Sequence, residues 1–313
     1  MKLNLNLDDA EKIFESAWNA ASLEFGDPAS FARDIKNESY HNFVDKINSN
    51  AKNYIHDFVF SFYTGSVFIF TEAIDLKLLN DLKVRSIEWC KVQSRSNKQS
   101  ITKSMLRPDL HEFRDWHIED HGYGYSSTYE MSHFYRWNSD PIGVFDLLSE
   151  PFRLLHTINA LKIRTDIPKE RLKNFVDRVE INHYPPKRGG IAFHHDPISL
   201  SRFAITANLS QYGDDFKVGG FAVGLGSGKV LPVEPHIKVG SLVGFLPSVC
   251  HGVEIIDPHG PAKQDLPPQE TGRWYAAVAM VENDIPSRRQ VTREAVGYPS
   301  LRQQISAFNN KRS

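Results

Sequence analysis

The chain has 313 residues, 41% of them apolar and 24% charged, with a formal net charge of −1 and a pI near 6.9. This is the composition of an ordinary globular protein, long enough for one large domain or two small ones. Nothing in the near-neutral balance favours nucleic acid or an anionic membrane as the main partner, and neither is expected.

The N-terminus, MKLNLNLDDAEKIFESAW, lacks the apolar stretch of a signal peptide. Residues 8–57 read as helical, with Ile13, Phe14, Trp18 and Ala21 close to a 3.6 period. The longest apolar run, residues 58–70, contains Ser61, Thr64, Gly65 and Ser66, and is too short and too polar to span a bilayer. Its end, Val67 to Phe70, reads as a buried strand. A helix is predicted from about Ile74 to Val92. Residues 94–140 are polar and irregular and read as loop-rich, with 111–130 a candidate lid. Helix returns over 141–165, with a break allowed at Pro151.

From residue 178 the pattern is of short strands: 178–185, 191–196, 203–210, 219–226, 229–235, 240–247 and 274–283. Turn signals such as PPKRGG, YGDD and GSGK separate them, which points to a β-sandwich or barrel. The expected organisation is a helical extension over 1–57, a β domain with flanking helices over 58–285, and a polar basic tail over 286–313 that is solvated or contacts a subunit. Cys90 and Cys250 alone provide neither a disulfide framework nor a cysteine zinc cluster, so a cytoplasmic protein is expected.

The residues 191–196, IAFHHD, raise a metal question. Side chains alternate along a strand, so His194 and Asp196 share a face and His195 points the other way. Two histidines and one carboxylate suit non-haem Fe(II) and leave three positions open. The third ligand is expected from a later strand, at His251 in GSLVGFLPSVCHGV (240–253). A 2-oxoacid would fill two open positions, and its far carboxylate calls for a buried cation. Arg273 in GRWY (272–275) suits that task through its planar fork, and Tyr275 shares its face.

These motifs in this order resemble the Fe(II)/2-oxoglutarate-dependent oxygenases. The resemblance covers about residues 178–283 and implies a mainly β fold with flanking helices around a double-stranded β-helix, or jelly-roll, core. It implies His194, Asp196 and His251 as iron ligands and catalytic residues, and Arg273 as the 2-oxoglutarate anchor. INHYP (181–185) resembles a strand that lies beside the co-substrate in the family, which adds Tyr184 and Asn182 to the co-substrate contacts. Two features depart from the pattern. Arg273 follows His251 by 22 residues, across what reads as an inserted loop (255–271), and Tyr275 stands where many members have serine. The implied cofactors are Fe(II), 2-oxoglutarate and O2. The implied reaction is hydroxylation of an unactivated C–H bond in a small molecule such as an amino acid, a sugar or a biosynthetic intermediate. Asp196 argues against halogenation, because related halogenases have a small residue there.

Alternatives stand beside this reading. A one-residue slip would make His195 the ligand. The same scaffold also supports desaturation or ring closure, and a cupin-like barrel would bind metal or ligand without turnover. HIEDH (117–121) imitates a zinc-protease motif, but Ile118 stands where glutamate is required. Arg188 and Arg202 are either anion contacts or plain surface charges, and Cys250 is expected to be a small buried residue. The oligomeric state is not readable.

Overall fold

The computed structural model describes residues 7–92, 112–115, 119–120, 126–128, 130–136, 139–160, 175–198, 201–261, 270–282 and 293–310. The chain begins with α1 (Leu7–Phe25), β1 (Asp34–Ser39), α2 (Tyr40–Asn48), α3 (Lys52–Tyr63), β2 (Ser66–Thr71) and α4 (Leu76–Val92). The periodic stripe of α1 is buried at Phe14, Ala17, Trp18 and Ala21. The Trp18 indole donates to the carbonyl of Ile158, 2.6 Å away, and its ring meets Phe62 edge-on. The segment expected to be wholly helical contains one strand, β1, which pairs in parallel with β2. Its sequence, DIKNES, has little strand propensity of its own. The open edge of β2 supplies the backbone partners that make it one.

The stretch read as loop contains β3 (Glu112–Asp115), β4 (Glu119–Asp120), β5 (Ser126–Thr128) and β6 (Glu130–Tyr135). Every residue of β6, EMSHFY, is buried, including Glu130 and His133. Polar letters disguised an interior strand because their partners come from elsewhere in the chain. In HIEDH, Glu119 and Asp120 are extended, while His117, Ile118 and His121 lie outside the described residues. The helical region after residue 141 is α5 (Val144–Leu147) and α6 (Ser149–Ile158). The break falls at Leu148, and Pro151 sits in the first turn of α6, where a missing N–H costs nothing.

Next come β7 (Phe175–Tyr184), β8 (Gly190–His195), β9 (Ala204–Asn208), β10 (Gly220–Gly224), β11 (Val230–Pro232), β12 (Leu242–Phe245), β13 (His251–Glu254) and β14 (Arg273–Glu282). Seven match the expected runs, and β13 is added. The chain ends with β15 (Arg293–Glu294) and α7 (Leu301–Asn310).

The strands form two sheets. One runs β1-β2-β12-β9-β14-β7-β6-β3; the other runs β11-β10-β13-β8-β5-β4, with β15 also on β8. The fold is thus mainly β with flanking helices. The large sheet turns Ile181, Ile205, Trp274 and Val278 into one core with the residues of α1, α3 and α6. Its opposite face meets the smaller sheet: Met131, Tyr184 and Tyr275 pack with Ile191, Val253 and Ile256, and Phe245 packs on Phe221. The site lies between these two inner faces.

The described part of the C-terminal stretch is mixed: Val296 is almost fully exposed, while other residues pack on β8. β15 pairs with His194 and His195 of β8. Tyr298 stacks on Phe193 at 5.0 Å, and Leu301 is buried beside Gly190. Apolar residues spaced through a polar tail thus cover the outer side of β8.

Candidate metal centre

β8 and β13 are antiparallel neighbours, and their register sets His194 directly across from His251. The two ring centroids are 4.3 Å apart, and both side chains are buried. Asp196 lies just past the end of β8. Its backbone N–H donates to the carbonyl of Pro247 at 2.9 Å, which ties it to the loop that leads into His251. Its Oδ1 is 3.9 Å from His194 Nε2, and its Oδ2 is 3.5 Å from His251 Nε2. One donor atom from each of the three residues lies within 4.8 Å of the others, a spacing that a single metal ion can bridge.

Each imidazole is oriented from behind. His194 Nδ1 donates to the carbonyl of Ala192 at 2.7 Å, and His251 Nδ1 donates to that of Val249 at 2.8 Å. A carbonyl only accepts, so both protons sit on Nδ1 and both Nε2 lone pairs face Asp196. Burial, and then the neighbouring His251, push His194 down to about 4. The ring therefore stays neutral, as a metal ligand must.

His195 lies outside this cluster. Its Nδ1 donates to the carbonyl of Ser248 at 2.7 Å, and its ring meets Phe31 edge-on. The pairing of β8 with β13 shifts between His251 and Val253, so β8 is not a regular strand. The irregularity precedes His194, and the HHD segment keeps its alternation.

Arg273 opens β14 and is only 2% exposed. Its Nε donates to Glu234 Oε2 at 2.7 Å. Glu234, 1% exposed, also accepts from the Phe221 backbone N–H at 2.7 Å and from Asn208 Nδ2 at 2.9 Å. Gly220, at φ +109°, makes room for it: a Cβ there would lie 2.6 Å from Glu234 Cγ. The Arg273 guanidinium stands 4.5 Å from the Tyr275 ring centre and 5.9 Å from that of Tyr184. The two tyrosine rings are parallel within 7°. Cross-strand pairing sets Arg273 opposite Tyr184 and Tyr275 opposite Asn182, so all four share the inner face. The buried Asn182 amide makes a long 3.5 Å bond to the Glu180 carbonyl. Burial, then Glu180, push the Tyr275 phenol up to about 12. Phe221 joins the two groups: its N–H holds Glu234 while its ring lies 6.3 Å from that of His251.

No family model matches the sequence, and no curated protein matches it. Solved structures similar to it include a Pseudomonas putida prolyl-4-hydroxylase (14% identity, TM-score 0.43, covering 70% of this chain and 93% of that one). AviO1 from Streptomyces viridochromogenes Tue57 is also similar (14%, TM-score 0.38, 70% and 91%), as is EvdMO1 (14%, TM-score 0.37, 66% and 45%). Similarity at this level is too slight to establish a shared fold or activity.

Several residues of the site escaped sequence reasoning. Glu234 was hidden in a three-residue 3-10 turn. Arg178 and Glu180 share the inner face of β7 with Asn182 and Tyr184, and His133 of β6 lies across from Glu180. Their signal was legible: two charges at alternate positions of a strand otherwise fit for burial. Arg202 lies over the Trp18 ring at 5.7 Å, among the helices. Cys250 is buried, and burial pushes its thiol up to about 11.

Proposed function

We propose that the protein is an Fe(II)- and 2-oxoglutarate-dependent oxygenase that hydroxylates a C–H bond of a small molecule. The observation that carries this is the convergence of His194 Nε2, His251 Nε2 and an Asp196 carboxylate, with both imidazoles oriented by Nδ1 bonds to backbone carbonyls. This donor set fits Fe(II) and leaves coordination positions open. The strand order supports a double-stranded β-helix core, because β7, β9, β12 and β14 fall in one sheet and β8, β10, β11 and β13 in the other.

Iron in this setting supplies O2 activation coupled to oxidative decarboxylation of a bound 2-oxoacid. The side chains bind and orient. Arg273 would hold the far carboxylate of 2-oxoglutarate through its terminal nitrogens, while Glu234 fixes its plane through Nε. Tyr184 and Tyr275 wall off the guanidinium and exclude water. Asp196 fills the ligand position that a halide would need, which favours oxygen insertion.

One observation favours a second reading, a barrel that binds metal or ligand without turnover. The charge of Arg273 is already met by Glu234, so the buried arginine has a structural reason to exist. An anaerobic titration separates the two. Fe(II) and then 2-oxoglutarate are added to metal-free protein, and the visible charge-transfer band of a chelated 2-oxoacid is recorded. The oxygenase reading expects the band in the wild type and in His195→Ala, and its loss in His194→Ala. Tight iron binding without a band supports the non-catalytic barrel, and equal loss in both alanine variants overturns the assignment of His194.

A further inference from the structure

We propose that Glu180 is the recognition residue for a protonated amine on the prime substrate, so that the molecule oxidised is a small cationic or zwitterionic amine. The inference deepens the oxygenase reading and rests on it for the reaction, but the site itself is made of protein side chains.

The position comes first. β7 alternates Arg178, Glu180, Asn182 and Tyr184 on the inner face, and the last two lie opposite Tyr275 and Arg273. Glu180 therefore stands one inward step beyond Asn182, opposite Ala277. On the other side it is paired with His133. The metal cluster on β8 and β13 and this wall belong to the facing inner surfaces of the two sheets.

The state of the carboxylate comes next. Both its ion-pair contacts, with Arg178 Nη2 and with His133 Nε2 at 3.5 Å, go through Oε1. Oε2 takes part in neither. The side chain keeps 20% of its surface exposed and Arg178 keeps 18%, although they sit on a strand with neighbours on both sides. Burial by itself would raise the carboxyl, but Arg178 and His133 outweigh it and hold it at about 2. Glu180 is thus a fixed, ionised acceptor with one oxygen to offer.

The sign of the ligand follows from the carboxylate itself. An ammonium group gives the ionised Oε2 a charge-assisted hydrogen bond. A carboxylate or phosphate on the substrate would instead meet like charge.

The test uses a panel of free amino acids and aliphatic amines, each paired with its N-acetyl derivative. Binding is measured by calorimetry to the full-length protein, first metal-free and then anaerobic with Fe(II) and 2-oxoglutarate. At least one amine is expected to bind, with its N-acetyl partner at least tenfold weaker. Glu180→Gln should abolish that preference, and Glu180→Asp, which keeps the charge, should retain it with reduced affinity. The proposal is overturned if no amine binds, if N-acetylation makes no difference, or if Glu180→Gln, folded by circular dichroism at the assay temperature, keeps the preference. The wild-type comparison of amine with N-acetyl partner stands even where a variant does not fold. The charge-transfer band is read in the same loaded samples. Amine binding without the band sinks the oxygenase reading alone, and the band without amine binding sinks only this proposal.

Discussion

Glu234→Gln is the most informative single substitution, because the structure isolates what it removes. The carboxylate accepts three hydrogen bonds, from Arg273 Nε, the Phe221 N–H and Asn208 Nδ2. A glutamine carbonyl placed at Oε2 keeps the first two. Its amide then faces Asn208, whose Oδ1 is buried and has no partner among the described residues. A flip of the Asn208 amide turns that contact into a good bond, so the hydrogen-bond count survives and only the charge is lost. Leaving one partner of a buried pair uncompensated costs about 3–5 kcal/mol. With the bonds retained, the low end applies, about 3 kcal/mol, a large share of the stability of an ordinary protein. At roughly 2–4 °C per kcal/mol the melting temperature should fall by about 6–12 °C. Urea unfolding followed by circular dichroism measures the loss directly. The far carboxylate of 2-oxoglutarate can replace the missing charge, so saturating co-substrate with metal should stabilise the variant more than the wild type. A loss below about 1 kcal/mol would refute the view that Glu234 neutralises Arg273. A loss of the expected size that 2-oxoglutarate does not relieve would instead place the co-substrate elsewhere.

Glu180 makes a prediction in acid. Its folded pKa, about 2, lies below the ordinary glutamate value of 4.5, so its stabilisation is present above about pH 4.5 and lost as the pH falls toward 2. A shift of that size corresponds to at most about 3 kcal/mol, and Glu180→Gln should flatten the stability curve between about pH 4.5 and 2. Tyr298→Ala removes the ring stacked on Phe193 behind the HHD segment and should cost about 3 kcal/mol in urea unfolding. A change within 0.5 kcal/mol, as at a plain surface site, would mean that the C-terminal strap does not support β8. Fe(II) at about a hundred times its dissociation constant should stabilise the wild type by about 2.7 kcal/mol, and His194→Ala should lose that gain. An undiminished gain in the variant would move the metal away from His194.

Much of this site was legible before any coordinates. Strand periodicity sets His194 and Asp196 on one side and His195 on the other, because a pleated backbone alternates whatever it packs against. Short apolar runs with glycine and proline turns between them marked seven strands of the two sheets, and the GRWY motif marked Arg273. These are local properties, carried by residues a few positions apart. The tertiary structure decided everything that depends on partners distant in sequence. β1 exists because β2 offers it an edge, and β6 is buried because its polar residues find partners on β7, as Glu130 does with His183, which also bonds the Thr271 carbonyl. The tail covers β8 because Tyr298 and Leu301 find apolar surface there. Glu234 reaches Arg273 across 39 residues. No local pattern encodes such a pairing, since a buried charge is tolerated only where the fold delivers its counter-charge.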